Sequence, residues 1–495
     1  MRYNGTQVNL MKYLSTRNQS LSMNSQDALN QGLASDGGLF VPASIPCLEL
    51  KTTLNKSFSE LSFMILSLFL DDFPQTQLKA CIDQAYTHSF DSPDITPVIK
   101  AGQTFILELF HGPTAAFKDV ALQLLPRLLV TLKQLNHDDT VTSVLTATSG
   151  DTGSAALAGF KDVLGFTMTV FYPEIGISTI QRKQMTTQSA SNLHVYGIHG
   201  NFDDAQRGVK SIFTQASHFD FPLSSANSIN IGRFLPQITY YFKAYADLVQ
   251  QKVLCLGDEV VFSVPTGNFG NILAAYIAKQ MGLPIQHLLC ASNENDVLTQ
   301  FIQTGTYTRN RPFHVTSSPS MDILVSSNLE RLLYWLTDRD STQISTWMQD
   351  LDTTGSYTLD ALTLSKLQAL FIPYRLEEKD VEKTIHDTYQ TSHYVCDPHT
   401  AIGVGAAHLY LKSHPEAIVI VAATASPYKF PKTVLKALHL ETSPDDFENI
   451  DRLYEATHFP CPAFLKELKE KTEVHTQILH PSEMAQTIQA NAHHD

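Results

Sequence analysis

The chain has 495 residues, 43% hydrophobic and 17% charged, with a formal net charge of −14. This length exceeds a single core, so two or three domains are expected in an ordinary soluble globular protein. The acidic balance argues against nucleic acid or an anionic membrane surface as partner, while a phosphorylated small molecule could still be held locally by a few cations and backbone amides.

Residues 1–100 read as a mostly helical N-terminal region. Its first 31 residues are rich in Asn, Gln and Ser and lack the apolar core of a signal peptide. Met1–Leu10 is polar and patternless, which makes Met11 an alternative start. A turn is expected at Ser35-Asp36-Gly37-Gly38, ahead of Leu39-Phe40-Val41-Pro42. The apolar run Leu61–Leu70 is too short to span a bilayer and reads as a buried helix.

From Phe105 the pattern changes to short apolar strands alternating with helical stretches. The strands expected are Phe105–Leu109, Val141–Thr146, Thr167–Tyr172, Leu193–Gly197, Val260–Val264, His287–Ala291 and Ala417–Ala422. They are β-branched and nearly continuous in hydrophobicity, as parallel strands covered on both faces should be. The alternation implies an α/β doubly wound architecture, in which ligands bind where loops leave the carboxyl ends of the strands. This core is expected over 101–435, with a polar helical insertion at about 338–382 and a helical tail over 436–495, frayed from Ala490. The cysteines Cys47, Cys81, Cys255, Cys290, Cys396 and Cys461 form no C-x-x-C pair. They read as reduced thiols of a cytoplasmic protein, with no metal site.

Lys118 closes the segment His111-Gly112-Pro113-Thr114-Ala115-Ala116-Phe117-Lys118-Asp119. Small and apolar residues precede it and a helical pattern (Val120, Ala121, Leu124, Leu125, Leu128, Leu129) follows, which sets the amine at the mouth of a helix. Partial desolvation there would lower its pKa and free its lone pair, as a carbonyl-binding lysine needs. A helix-start lysine can also be simply a solvated charge.

Two loops have the form strand, small polar residues, helix. After Val260–Val264 comes Pro265-Thr266-Gly267-Asn268-Phe269-Gly270-Asn271, leading into a helical Ile272–Met281. Its glycines let backbone N–H groups converge at a helix N-terminus, which suits a phosphate. It has neither the lysine of an ATPase loop nor the glycine spacing of a dinucleotide loop, and a tight strand–helix turn would need the same glycines. After Val141–Thr146 comes Ala147-Thr148-Ser149-Gly150-Asp151-Thr152-Gly153-Ser154, suited to a small carboxylate. Alternatively, Ser149 or Asp151 there only caps a helix beginning near Ser154. Asn227-Ser228-Ile229-Asn230-Ile231-Gly232-Arg233 could bind an anion bidentately or be a polar turn. At the last strand end, Thr424 faces whatever lies above the sheet, and Lys429 and Lys432 are either surface charges or phosphate contacts.

Taken in this order, S-D-G-G-L-F at 35–40, H-G-P-T-A-A-F-K-D at 111–119, T-A-T-S-G-D-T-G at 146–153, N-S-I-N at 227–230, P-T-G-N-F-G-N at 265–271 and S-M-D-I at 320–323 resemble threonine synthases. The lysine and glycine loops alone would indicate only type II pyridoxal-phosphate enzymes, whose fold is like the tryptophan synthase β chain. The first motif and the run from Ser320 to Arg331 narrow the resemblance to the longer microbial and fungal type, over roughly residues 11–435.

The resemblance implies doubly wound, mostly parallel sheets in a large and a smaller mobile domain, the latter at about 140–225. It implies that Lys118 binds pyridoxal 5'-phosphate covalently. Gly267, Asn268, Phe269, Gly270 and Asn271 would hold the cofactor phosphate and Thr424 its ring nitrogen. Ser149, with Thr148, Asp151 and Thr152, would take the substrate carboxylate, and Asn227, Ser228, Arg233 and Lys429 the substrate phosphate. The reaction implied converts O-phospho-L-homoserine and water to L-threonine and phosphate, in a monomer or weak homo-oligomer. Alternatives are a phospho-lyase releasing 2-oxobutyrate and a non-catalytic cofactor-binding protein. The chain departs from the family pattern T-A-H-P-A-K-F at Ser426, in Thr424-Ala425-Ser426-Pro427-Tyr428-Lys429-Phe430. This puts an imidazole role there in doubt, and Ser426→His is expected to change rate or affinity modestly without switching products.

Overall fold

In the computed structural model, which describes residues 10–200 and 202–492, two sheets set the architecture. The larger has the spatial order Phe371–Arg375, Ile285–Ser292, Val260–Pro265, Val419–Ala423, Thr104–Glu108, Val98–Ala101. Its neighbours pair in parallel except Val98–Ala101, which runs antiparallel at one edge. The smaller sheet is parallel throughout, in the order Ile478–Leu479, Leu193–Ile198, Phe166–Pro173, Thr142–Ala147, Leu223–Ser225. Phe166–Pro173 and Val419–Ala423 are buried along their whole length, which is why they read as unbroken apolar runs.

All seven expected strands are present, with ends displaced by at most two residues. Three expectations need correction. The stretch 338–382 is not purely helical: Ser356–Thr358 is a strand, and Phe371–Arg375 pairs in parallel with Ile285–Ser292. An edge strand has one neighbour, so most of Phe371–Arg375 is only partly buried and its pattern is weak. The tail is not purely helical either, since Ile478–Leu479 joins the smaller sheet beside Leu193–Ile198. Its end is helical over Met484–Ala492, within which fraying was expected from Ala490; residues 493–495 lie outside the described residues. The N-terminal region adds a small antiparallel sheet (Tyr13–Ser15, Ser22–Met23, Phe40–Pro42) to its helices. The alternative-start question falls mainly on residues 1–9, outside the described residues.

The buried helix expected at Leu61–Leu70 is Phe58–Phe69. Ser57 and Glu60 open it as a capping box, and Leu61, Ile65, Leu66 and Phe69 form its core face. Among the described residues no helix is long and apolar enough to cross a membrane.

The loops of interest all follow carboxyl ends of strands. Lys118 comes after Thr104–Glu108, the 148–153 loop after Thr142–Ala147, the glycine loop after Val260–Pro265, and Thr424 after Val419–Ala423. Lys118 Nζ lies 3.4 Å from Asp151 Oδ2, so the mouths of the two sheets meet at this pair.

Candidate active site

Lys118 owes its position to its neighbour. The Asp119 carboxylate accepts the Thr114 backbone N–H at 2.8 Å and its hydroxyl at 2.7 Å, folding the preceding turn onto the helix start. A Cβ at Gly112 would overlap Asp119, so the turn requires glycine there. Burial raises the Asp119 carboxyl to about 6, against the lowering effect of the Thr114 bonds. The turn is tied to the last strand end by Phe117 N–H to Thr424 O (2.9 Å) and Ser426 N–H to Ala115 O (3.1 Å).

Lys118 opens the helix Lys118–Leu122 and is only 9% exposed. Burial lowers its pKa; Asp151 opposes this, while Lys429 and Arg233 reinforce it. Its Nζ also donates to Ser320 Oγ at 3.4 Å.

Asp151 is the hub. Its Oδ1 lies 2.6 Å from Lys429 Nζ and accepts from Gln181 Nε2 at 3.0 Å; its Oδ2 accepts from Ser320 Oγ at 3.0 Å. Burial alone would raise this carboxyl, but Lys429 and Lys118 outweigh it and hold it well below the usual carboxylate range. Two expectations change accordingly. The Asp151 side chain is an anion committed to the Lys429 ammonium and the Lys118 amine, so it would repel a substrate carboxylate. Lys429 is fully buried, with Nζ also donating to Thr114 O at 3.0 Å, and is the counter-ion of Asp151 rather than a free phosphate contact. Lys432 is exposed.

The capping expectation also changes. The helix begins at Asp151 rather than near Ser154, and neither Ser149 nor Asp151 caps it. Thr148 Oγ1 accepts the Gly150 and Gly153 N–H groups, both at 2.9 Å. Gly150 turns the chain at φ 138°, and a Cβ there would lie 2.5 Å from the Gln181 side chain. Among the described residues this leaves the amides of Ser149, Asp151 and Thr152, and the hydroxyls of Ser149 and Thr152, without a protein partner.

The glycine loop is braced from behind. Ser326 Oγ donates to Gly267 O at 2.7 Å, and Asn328 donates to Asn268 O through its backbone (3.2 Å) and side chain (2.9 Å). Phe269 sits at φ 63° with its ring buried, and the helix Gly270–Gln280 follows. The amides of residues 267–271 have no acceptor among the described residues. Asn271 Oδ1 accepts from the hydroxyls of Tyr240 and Tyr241, while its buried Nδ2 has no partner. A Cβ at Gly267 would lie 2.7 Å from the Ser320 carbonyl. Gly267→Ala is therefore expected to displace the Ser320 turn and weaken pyridoxal-phosphate affinity by about tenfold, a loss of about 1.4 kcal/mol. Titration of the apo-protein checks this, and parental affinity would remove the loop from the site.

Arg233 is 2% exposed and donates to Ala226 O, but its Nε is buried without a partner and no carboxylate pairs with it among the described residues. Burial lowers its pKa to about 10. A buried guanidinium with spare donors and no counter-ion suits an anion. Asn227 Oδ1 accepts from Thr146 Oγ1, and Ser228 Oγ accepts from Asn328 Nδ2 at 3.0 Å. Arg331, also fully buried, braces this loop by donating to Ile229 O and, through Asn328 Oδ1, to the glycine loop's support.

Thr424 is 6% exposed; its carbonyl takes Phe117 N–H and its hydroxyl has no partner among the described residues. Ser426 is buried and its Oγ caps the short turn Pro427–Lys429 that carries Lys429 inward. Histidine at 426 must fit into a filled space, at about 1–3 kcal/mol, so the modest effect expected from sequence should include lost stability. Gln181, Asp397 and His399 were not singled out in the sequence, and Ser320 was only part of a motif. Their weak signals were a polar helix after Ser178 and an Asp-Pro-His helix start.

A family model described as "Threonine synthase N terminus" matches residues 12–86, "Pyridoxal-phosphate dependent enzyme" matches 87–424, and "Threonine synthase, C-terminal" matches 400–488. The threonine synthase of Schizosaccharomyces pombe is 39% identical over 464 residues, covering 86% of this chain and 89% of that protein. The chain belongs to the threonine synthase family. Human "Threonine synthase-like 1" is 40% identical over 438 residues, covering 84% of this chain and 58% of that longer protein. The crystal structure of pyridoxal-phosphate-bound threonine synthase from Brucella melitensis superposes with a TM-score of 0.87 at 36% identity, covering 97% of this chain and 99% of that one.

The residues of this threonine synthase family member fit pyridoxal phosphate, the cofactor of its central family. An aldehyde needs a neutral amine, and burial favours that form of Lys118. A phosphate needs convergent donors without internal acceptors, and residues 267–271 with Asn271 Nδ2 supply them. At Gly270 a Cβ would meet nothing nearer than 3.5 Å, leaving room for a ligand.

Proposed function

We propose that the chain is a threonine synthase, converting O-phospho-L-homoserine and water to L-threonine and phosphate. The reading is carried by Lys118: a buried amine, lowered in pKa, between two loops whose amides lack protein acceptors. Pyridoxal phosphate, when bound, supplies an electron sink beside the substrate amine. The Lys118 amine is the base that removes the proton at Cα and carries protons to and from Cβ. Asp151 and Lys429 keep its surroundings close to neutral. The Ser149, Asp151 and Thr152 amides with the adjoining hydroxyls hold the α-carboxylate, and Arg233 takes the phosphate that leaves Cγ. Amides 267–271 would hold the cofactor phosphate, and the Thr424 hydroxyl would meet its ring nitrogen. Thr148, Asn227 and Ser228 shape these loops.

Water must enter only after phosphate has left. Closure of the smaller domain, about 140–225, excludes it. The end of the tail goes with that unit, because Ile478–Leu479 joins its sheet and Val474 N–H donates to Thr186 O (2.8 Å), whereas Phe447, Ile450, Leu465 and Leu468 pack in the core of the larger sheet. Six free cysteines fit a cytoplasmic enzyme.

The second reading is a phospho-lyase of the same site, ending at 2-oxobutyrate. It is kept because the chain departs from the family pattern at Ser426, beside the Thr424 contact. Chromatography of products from phosphohomoserine separates them. Threonine with little 2-oxobutyrate is expected, and mainly 2-oxobutyrate would favour the lyase.

A further inference from the structure

Behind Lys118 lies a buried chain of polar contacts that the reaction as described does not use. Ser320 Oγ donates to Asp151 Oδ2 at 3.0 Å, so its lone pairs are left to accept from Lys118 Nζ at 3.4 Å. The same residue's backbone N–H points the other way, to His399 Nε2 at 3.2 Å. His399 Nδ1 is 2.7 Å from Asp397 Oδ2. Because Nε2 accepts from an amide, the ring proton sits on Nδ1 and is donated to Asp397. Both residues are almost fully buried, at 2% and 1% exposure.

Asp397 is itself fixed as the N-cap of the helix Pro398–Leu411, accepting the His399 and Thr400 N–H groups. On its other flank the Ser320 turn is anchored by Asp322, which accepts from Asn293, Asn295 and Thr316. The Ser320 turn is thus gripped at both ends, and what it presents to the site is a single hydroxyl.

We propose that Ser320 is a catalytic residue that holds the Lys118 amine through its hydroxyl, and that His399 and Asp397 are positioning residues that aim it. The proposal rests on the reading of Lys118 as the cofactor-binding base. An amine gripped by one N–H presents its lone pair in a fixed direction, which is what proton transfer at two adjacent carbons needs. A cap residue alone would need neither the imidazole nor its bond to the Ser320 turn.

The test uses the pyridoxal-phosphate-loaded protein and four variants: Ser320→Ala, His399→Phe, His399→Gln and the double variant Ser320→Ala/His399→Phe. Asp397 keeps its bonds to the His399 and Thr400 N–H groups in all of them, and His399 packs against Phe430 at 5.1 Å, so phenylalanine suits the space. Asp151, Lys429 and Arg233, the other charged groups acting on the amine, are untouched. The readout is the pH midpoint of the visible absorption band, with kcat and KM beside it. Ser320→Ala and His399→Phe should shift the midpoint in the same direction by about half a unit or more, and lower kcat by about tenfold with KM little changed. His399→Gln, which keeps an acceptor for the Ser320 amide, should recover most of both. The double variant should be no worse than Ser320→Ala, because His399 acts through that hydroxyl. Unshifted midpoints, or additive losses in the double variant, overturn the proposal while leaving the role of Lys118 intact. A parent protein without a visible band overturns the cofactor reading and the proposal with it.

Discussion

Replacing Lys118 with alanine is expected to abolish the visible absorption of the loaded protein and to lower turnover by about 10⁴-fold. The loss should not come from unfolding. Burial holds the Lys118 ammonium below its ordinary value, so the charged amine costs stability at neutral pH, where an exposed lysine would be fully protonated. Asp151 keeps Lys429 as its partner in the variant. The thermal midpoint of the apo-protein should therefore be unchanged or raised, as for other active-site groups placed against stability. Calorimetry and an absorption spectrum check both halves. A variant that keeps its band has another lysine as the anchor.

Asp151→Asn is expected to do the reverse, costing stability as well as activity. Lys429 is fully buried and Lys118 nearly so, and Asp151 is the carboxylate both of them face. Removing one partner from a buried ion pair costs about 3–5 kcal/mol, a large part of the roughly 5–15 kcal/mol that holds a domain together. Lys429→Met in the same background should restore much of the loss by removing the stranded charge. The folded-state pKa of Asp151 lies below its unfolded value, so its contribution is complete above the ordinary aspartate range, about 3.9. It is lost as pH falls through the lower folded value. Denaturant titrations at neutral and acid pH should show the parent losing this increment in acid and the variant lacking it throughout. Equal midpoints at neutral pH would contradict the hub role of Asp151.

The parallel sheets were legible because strands covered on both faces read as unbroken apolar runs between small polar loops. Phe371–Arg375 and Ile478–Leu479 were not, because edge strands are half-exposed and the second has only two residues. In the site, Lys118, both loops and Thr424 were visible as residue types at strand ends. What the sequence hid was pairing across the chain. Lys429 resembles a surface lysine until Asp151 is found beside it, and Thr148 displaces Ser149 as cap through a bend at Gly150 that only the backbone reveals. The link from Ser320 to His399 joins two loops with no common motif.

The central claim is that phosphate leaves Cγ with its own oxygens and that water then adds at Cβ. Turnover of phosphohomoserine in heavy-oxygen water, followed by mass spectrometry of both products, tests it directly. The account requires the heavy oxygen in the threonine hydroxyl and none in the released phosphate. Label in the phosphate, with homoserine as the other product, would mean hydrolysis at phosphorus and would contradict it.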